Sequence, residues 1–201
     1  MKKMTLLLAL FFVMTAAGAG KPYGCYKELR WGMNPDEAIK TLAATGIEPR
    51  KFEKDDILIL TFPSFVPAGK EKLELSLSFK SIKLYRVDIN FPFDDTLNQL
   101  CQTGAMKRIS AYKLFREALL GKYGKPLKDV NENRSRSIQM EEAICQKAGM
   151  MEAEWETGES KIMLYAELQN LSPSQLGGRS FFMPLLYYID KTQLPKEKAD
   201  L

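Results

Sequence analysis

Apolar residues at every second position, Leu73, Leu75, Leu77 and Phe79, alternate with Glu74, Ser76, Ser78 and Lys80. No other stretch constrains the fold as strongly. Successive side chains of a strand point to opposite faces, so this run dictates a strand with one dry face and one wet face. After a turn near Ser81 the pattern repeats, with Tyr85, Val87, Ile89 and Phe91 set against Arg86, Asp88 and Asn90. It returns in Met151, Ala153 and Trp155 against Glu152, Glu154 and Glu156, and after a turn at Thr157–Ser160 in Ile162, Leu164, Ala166 and Leu168. Lys51–Lys54 and Ile57–Phe62 flank an Asp55-Asp56 turn, and Ser64–Lys70, with Pro67 and Gly69, reads as a loop. Clean alternation belongs to antiparallel sheets covered on one side, because parallel strands are buried on both.

Helices supply the cover. Asn34, Pro35 and Glu37 make a capping box with proline at the first helical position. Ala38, Ile39, Leu42 and Ala43 form an apolar stripe, Gly46 supplies a left-handed stop, and Trp31 is expected to fold over this helix. A second helical region starts near Asp94-Asp95. It carries Leu97, Leu100 and Cys101, is interrupted at Gly104, resumes with Tyr112, Phe115 and Leu119, and stops at Gly121, Gly124 and Pro126. Lys128–Arg136 reads as an exposed loop, Leu171–Gly178 as another, and Phe181–Ile189 as a last strand. That strand is apolar on both faces, which means either a central buried strand or a surface offered to a partner.

The expected class is therefore α+β, with two helical regions packed on one face of an antiparallel sheet. Residues 20–201 form one domain, with candidate halves at 26–93 and 94–192 and a flexible tail at 193–201. Each half runs from helix to glycine stop to antiparallel strands, so a degenerate duplication is one reading of the order.

Trp31-Gly32-Met33-Asn34-Pro35-Asp36-Glu37-Ala38 resembles the W-G-M-S-x-E-E-V opening of many small secreted bacterial proteins. Leu120-Gly121-Lys122-Tyr123-Gly124-Lys125-Pro126 resembles a helix exit common in that group. The opening is also similar to the repeat unit of the outer-membrane assembly lipoprotein BamE and of β-lactamase inhibitor proteins. That resemblance implies helices on one face of an antiparallel sheet and a function exercised by binding proteins.

The front of the chain has the make-up of a secretory leader. Lys2 and Lys3 precede the apolar run Leu6–Met14, and Ala17-Gly18-Ala19 matches a cleavage site. The run is shorter than the roughly 20 residues a bilayer demands, so no stable membrane span is expected. Cleavage near Ala19 would deliver the chain to the periplasm or the cell exterior. The net charge of +4 falls to +2 without the two leader lysines, and no clustered basic face marks a nucleic-acid partner. An oxidising compartment favours pairing among Cys25, Cys101 and Cys145. Three pairings are open. Cys101–Cys145 is favoured because both belong to the second half and Cys25 lies in the N-terminal segment.

Histidine is absent, which excludes Ser-His-Asp and Cys-His catalysis and His-ligated zinc. Ser110 and Lys113 match the S-x-x-K pattern of penicillin-binding proteins, without S-D-N or K-T-G partners. Such a dyad would make the chain a serine hydrolase of cell-wall or ester and amide substrates; the plainer reading is Ser110 as a helix cap. Glu152, Glu154 and Glu156 share one strand face, at a spacing of about 6.6 Å that prevents one cation from touching all three. A solvated face paired with lysines of neighbouring strands is the plainer reading, and a binding surface the functional one. The outward residues Glu74, Ser76, Ser78, Glu152, Glu154 and Glu156 are expected to be exposed and mildly acidic. With no cofactor expected, the reading is a non-catalytic envelope protein whose partner is another envelope protein; its oligomeric state is open.

Overall fold

The computed structural model describes residues 26, 28–68, 71–91, 101–135, 137–146, 149–166, 168–170, 180–182 and 185–194. Helix α1 (Pro35–Leu42) precedes strands β1 (Arg50–Lys54), β2 (Ile57–Ala68), β3 (Glu71–Lys80) and β4 (Lys83–Asn90). Helix α2 (Cys101–Tyr123) leads to β5 (Lys128–Asn133), the short helix α3 (Met140–Cys145), β6 (Gly149–Glu156) and β7 (Ser160–Ala166). A small hairpin, β8 (Leu168–Asn170) and β9 (Ser180–Phe182), stands apart before β10 (Leu186–Asp190).

The main sheet has eight antiparallel strands in the order β1-β2-β3-β4-β10-β7-β6-β5. The fold is α+β, an antiparallel sheet with α1 and α2 packed against it. The two sequence halves meet at the central β4–β10 seam, where Tyr188 lies opposite Val87. Each half contributes a helix followed by four sheet strands, and each ends on a seam strand.

Local chemistry explains the ends of the elements. Asn34 Oδ1 accepts from the Glu37 amide at 2.9 Å while Glu37 returns a carboxylate to the Asn34 amide, completing the capping box of α1. A 3-10 turn, Ala43–Thr45, prolongs the helix to Gly46, whose φ of 67° supplies the left-handed stop. The alternating runs bury as they should, with Leu73, Leu75, Leu77 and Phe79 sealed from solvent. Leu60, Val87, Ile89, Ala153, Ile162 and Leu164 join them on the same face, beneath Ala38, Leu42, Ile109 and Tyr112 of the helices.

Several expectations are corrected. β2 runs on through Ala68 where a loop was expected. A register shift between Phe62 and Val66 absorbs the irregularity, as a bulge tolerates Pro63 where a regular ladder would not. α2 continues unbroken through Gly104 and Gly121. Burial of Ala105, Ile109, Tyr112 and Leu119 along one face outweighs the roughly 1 kcal/mol that a helical glycine costs. The stop is Gly124, at φ 76°, whose amide donates to the Leu120 carbonyl. Ser110 therefore sits in mid-helix and caps nothing. The expected loop after α2 contains the edge strand β5, polar because it has a single neighbour and little to bury. The last strand divides in two, with Phe182 in the small hairpin and Leu186–Asp190 at the sheet centre. The expected features at Asp94-Asp95, Leu97 and Leu100, the leader, the loop at 171–178 and the tail from 195 lie outside the described residues.

Candidate functional site

Register places a second set of side chains on the face that carries no helix. Across the sheet these are Arg50, Phe52 and Lys54 of β1, then Ile57, Ile59 and Thr61 of β2, Ser76 and Ser78 of β3, and Arg86 and Asp88 of β4. Beyond the seam follow Tyr187 of β10, Met163 and Tyr165 of β7, Glu152 and Glu154 of β6, and Val130 of β5.

This face is less wet than its alternation implies. Ser78, Glu152, Tyr165 and Tyr187 are all buried, and Glu74 and Ser76 are half-buried. The expectation of a bare acidic surface is corrected accordingly. Each of the three glutamates meets a lysine from another element. Lys128 Nζ lies 2.7 Å from Glu152, Lys161 Nζ lies 2.9 Å from Glu154, and Lys191 pairs with Glu156. Hydrogen bonding to Lys191 holds the Glu156 carboxyl below its ordinary range. The carboxylates thus form a neutralised lattice in which only Glu156 remains well exposed.

Beside them is a cluster that alternation alone did not single out. Tyr165 and Tyr187 stack with ring centroids 5.7 Å apart and planes 19° from parallel. The Arg86 guanidinium covers the Tyr187 ring at 4.9 Å, and its Nε donates to both carboxylate oxygens of Asp88 at 2.8 and 2.9 Å. Burial pushes the Tyr165 phenol far up, and its hydrogen bonds to Tyr187 and Glu152 add to the rise. Burial raises Tyr187 as well, against the pull of Tyr165, Arg86 and Lys161. Burial also raises Asp88 despite Arg86. Phenols held protonated in this way donate hydrogen bonds and offer ring faces; they are not poised as bases. Pairing Met163 and Tyr165 of β7 with the glutamates of β6 would have revealed part of the cluster from sequence. The tyrosine stack needs the β10–β7 register, which joins residues separated by a long insertion.

Ser110 and Lys113 are both exposed on α2. Lys113 borders a cleft of about 460 Å³ with Tyr112, Arg116, Asp129, Asn131 and Met151, where Arg116 is bridged to Asp129. Ser110 is not among the lining residues. Cys145 is in disulfide-bonded form, while the side chains of Cys25 and Cys101 lie outside the described residues.

The two motifs behind the family resemblance have structural tasks. Trp31 Nε1 donates to Ser160 Oγ at 2.9 Å, tying the front of the first half to β7 rather than only covering α1. Gly32, at φ 77°, and Met33 exchange backbone hydrogen bonds with Leu84. At the helix exit, the Gly124 carbonyl accepts from Trp155 Nε1 at 2.8 Å, and the Leu127 amide donates to Glu154. Each motif locks one helix terminus onto the sheet.

No family model matches the chain, and no curated protein or solved structure matches it significantly. Among the described residues no helix is long and apolar enough to cross a membrane, and no group of three His, Cys, Asp or Glu side chains is placed to hold a metal ion.

Proposed function

We propose that this chain is a non-catalytic binding or accessory protein of the bacterial envelope, exported by its leader and acting through protein–protein contacts on the helix-free face of the sheet. The observation that carries this reading is Arg86, a third exposed at the middle of that face and held over the buried Tyr187–Tyr165 stack, flanked by the Lys–Glu lattice. Arginine is enriched at interface hot spots, and a side chain already fixed by ring stacking and an ion pair loses little entropy on docking. Glu154 and Glu156, with the buried Glu152 behind them, would form the charged rim that tunes encounter and specificity.

The test is capture of an envelope protein by immobilised mature chain. Arg86→Ala and the pair Glu154→Lys with Glu156→Lys should each lower capture by about tenfold or more while the circular dichroism spectrum is kept. Unchanged capture by both folded variants would move the binding face elsewhere. Stoichiometric labelling by a serine-reactive probe, lost in Ser110→Ala, would overturn the reading in favour of a hydrolase. N-terminal sequencing of periplasmic protein should begin at Gly20; retention of Met1 would remove the export premise.

A further inference from the structure

β1 is the outermost strand on the first-half side of the sheet, and all five of its residues are exposed. Among the described residues only β2 pairs with it, so no described strand meets its outer row of backbone donors and acceptors. Natural proteins usually protect such an edge with charge, and Arg50, Lys51 and Lys54 would suit that purpose. Two details point further. Phe52 is 59% exposed, a large apolar side chain set in the middle of the edge strand. The charges around it are also arranged to complement their own reversed copy.

Register puts Arg50, Phe52 and Lys54 opposite Thr61, Ile59 and Ile57 on the helix-free face, and Lys51 and Glu53 opposite Leu60 and Leu58 on the helix side. Antiparallel pairing of two such edges about a two-fold axis must join residues on the same face, so the axis passes through a residue pair. Centred on Phe52, the pairing sets ring against ring and places Lys51 opposite the second copy's Glu53, twice. Centred on Lys51 or on Glu53, it sets like charges directly against each other, which is destabilising. The Phe52-centred register leaves Arg50 facing the second copy's Lys54 at the strand ends, with the attraction between Glu74 and Arg50 beside that pair.

We propose that the β1 edges of two copies of this chain pair antiparallel, centred on Phe52, to form an isologous dimer with one continuous sheet. The pairing joins both β1 edges, pairs their outer backbone groups and covers the exposed ring. A five-residue edge buries little surface, so association is expected between about 1 µM and about 1 mM. The dimer does not depend on the helix-free face binding a partner, and its test is separate.

Sedimentation velocity of the mature chain should show concentration-dependent dimers. Lys51→Glu alone and Glu53→Lys alone should each weaken association by about tenfold or more, since symmetry turns both ion pairs into like-charge pairs. The Lys51→Glu copy mixed with the Glu53→Lys copy should form a heterodimer, because each then meets its opposite charge, and the double variant should dimerise by itself. Phe52→Asp should be monomeric. A monomer at every concentration, single reversals without effect, or a mixture that fails to associate would each overturn the proposal. The mixing arm guards against a folding artefact, because an unfolded variant could not regain association by mixing.

Discussion

Replacing Gly149 with alanine tests how α3 is seated. Gly149 opens β6 directly beneath that helix. A Cβ added to it would lie 2.9 Å from the Ala143 Cβ, 2.9 Å from the Ile144 amide nitrogen and 3.0 Å from the Ala143 carbonyl carbon. Ordinary contact begins near 3.4 Å, so helix and strand would have to separate by about 0.5 Å. None of the three atoms can swing aside: two are helix backbone, and the third is a methyl fixed to that backbone in a fully buried residue. Overpacking of this kind costs about 1–3 kcal/mol. For a chain of this size each kcal/mol lowers Tm by about 2–4 °C, so a fall of roughly 2–12 °C is expected. Urea titration and thermal melting of Gly149→Ala should be read against Gly158→Ala, whose added Cβ meets nothing within 4 Å. A difference between the two of less than about 0.5 kcal/mol would refute direct seating of α3 on β6.

Three further outcomes are expected. Ile82, at φ 58° and 70% exposed in the β3–β4 turn, is a β-branched residue in a left-handed conformation; Ile82→Gly should raise stability by about 1 kcal/mol in urea titration, and an equal loss would refute the strain. Glu152→Lys sets a second ammonium beside Lys128 at a side chain only 8% exposed and should cost about 3 kcal/mol or more, whereas Glu156→Lys at the exposed end should cost about 1 kcal/mol or less; equal melting curves would contradict the burial difference. Burial raises the Glu74 carboxyl although Arg50 pulls it back, so the folded chain takes up that proton more readily than the unfolded one. Its stabilising effect is present at low pH and lost as pH rises through the raised folded value. Glu74→Gln should therefore gain on the parent chain in urea midpoint between about pH 3 and pH 7, and a gain in the opposite direction would refute the shift.

The β3 run from Leu73 to Phe79 was legible because alternation and burial are one phenomenon in a strand with one covered face. The α1 capping box was legible because its hydrogen bonds join residues three apart. β5 was not, since an edge strand that buries almost nothing carries no apolar period, and only pairing with β6 makes Lys128–Asn133 extended. Gly104 and Gly121 read as breaks because propensity is local, while the packing that carries α2 through them comes from the sheet. The candidate site divides in the same way. Sequence placed Glu152, Glu154 and Glu156 on one face and anticipated lysines beside them. It could not rank their exposure, because burial of Glu152 depends on Tyr165, its cross-strand neighbour on β7. The Tyr165–Tyr187 stack and its Arg86 cover were beyond reach. They lie where β4, β10 and β7 come side by side, and that adjacency is created by the meeting of the two halves. What the sequence determined by itself was set by periods of two and by hydrogen bonds within a turn or two of chain. What only the tertiary structure decided were the meetings of residues far apart in sequence, because strand order and register, not local preference, choose which side chains become neighbours.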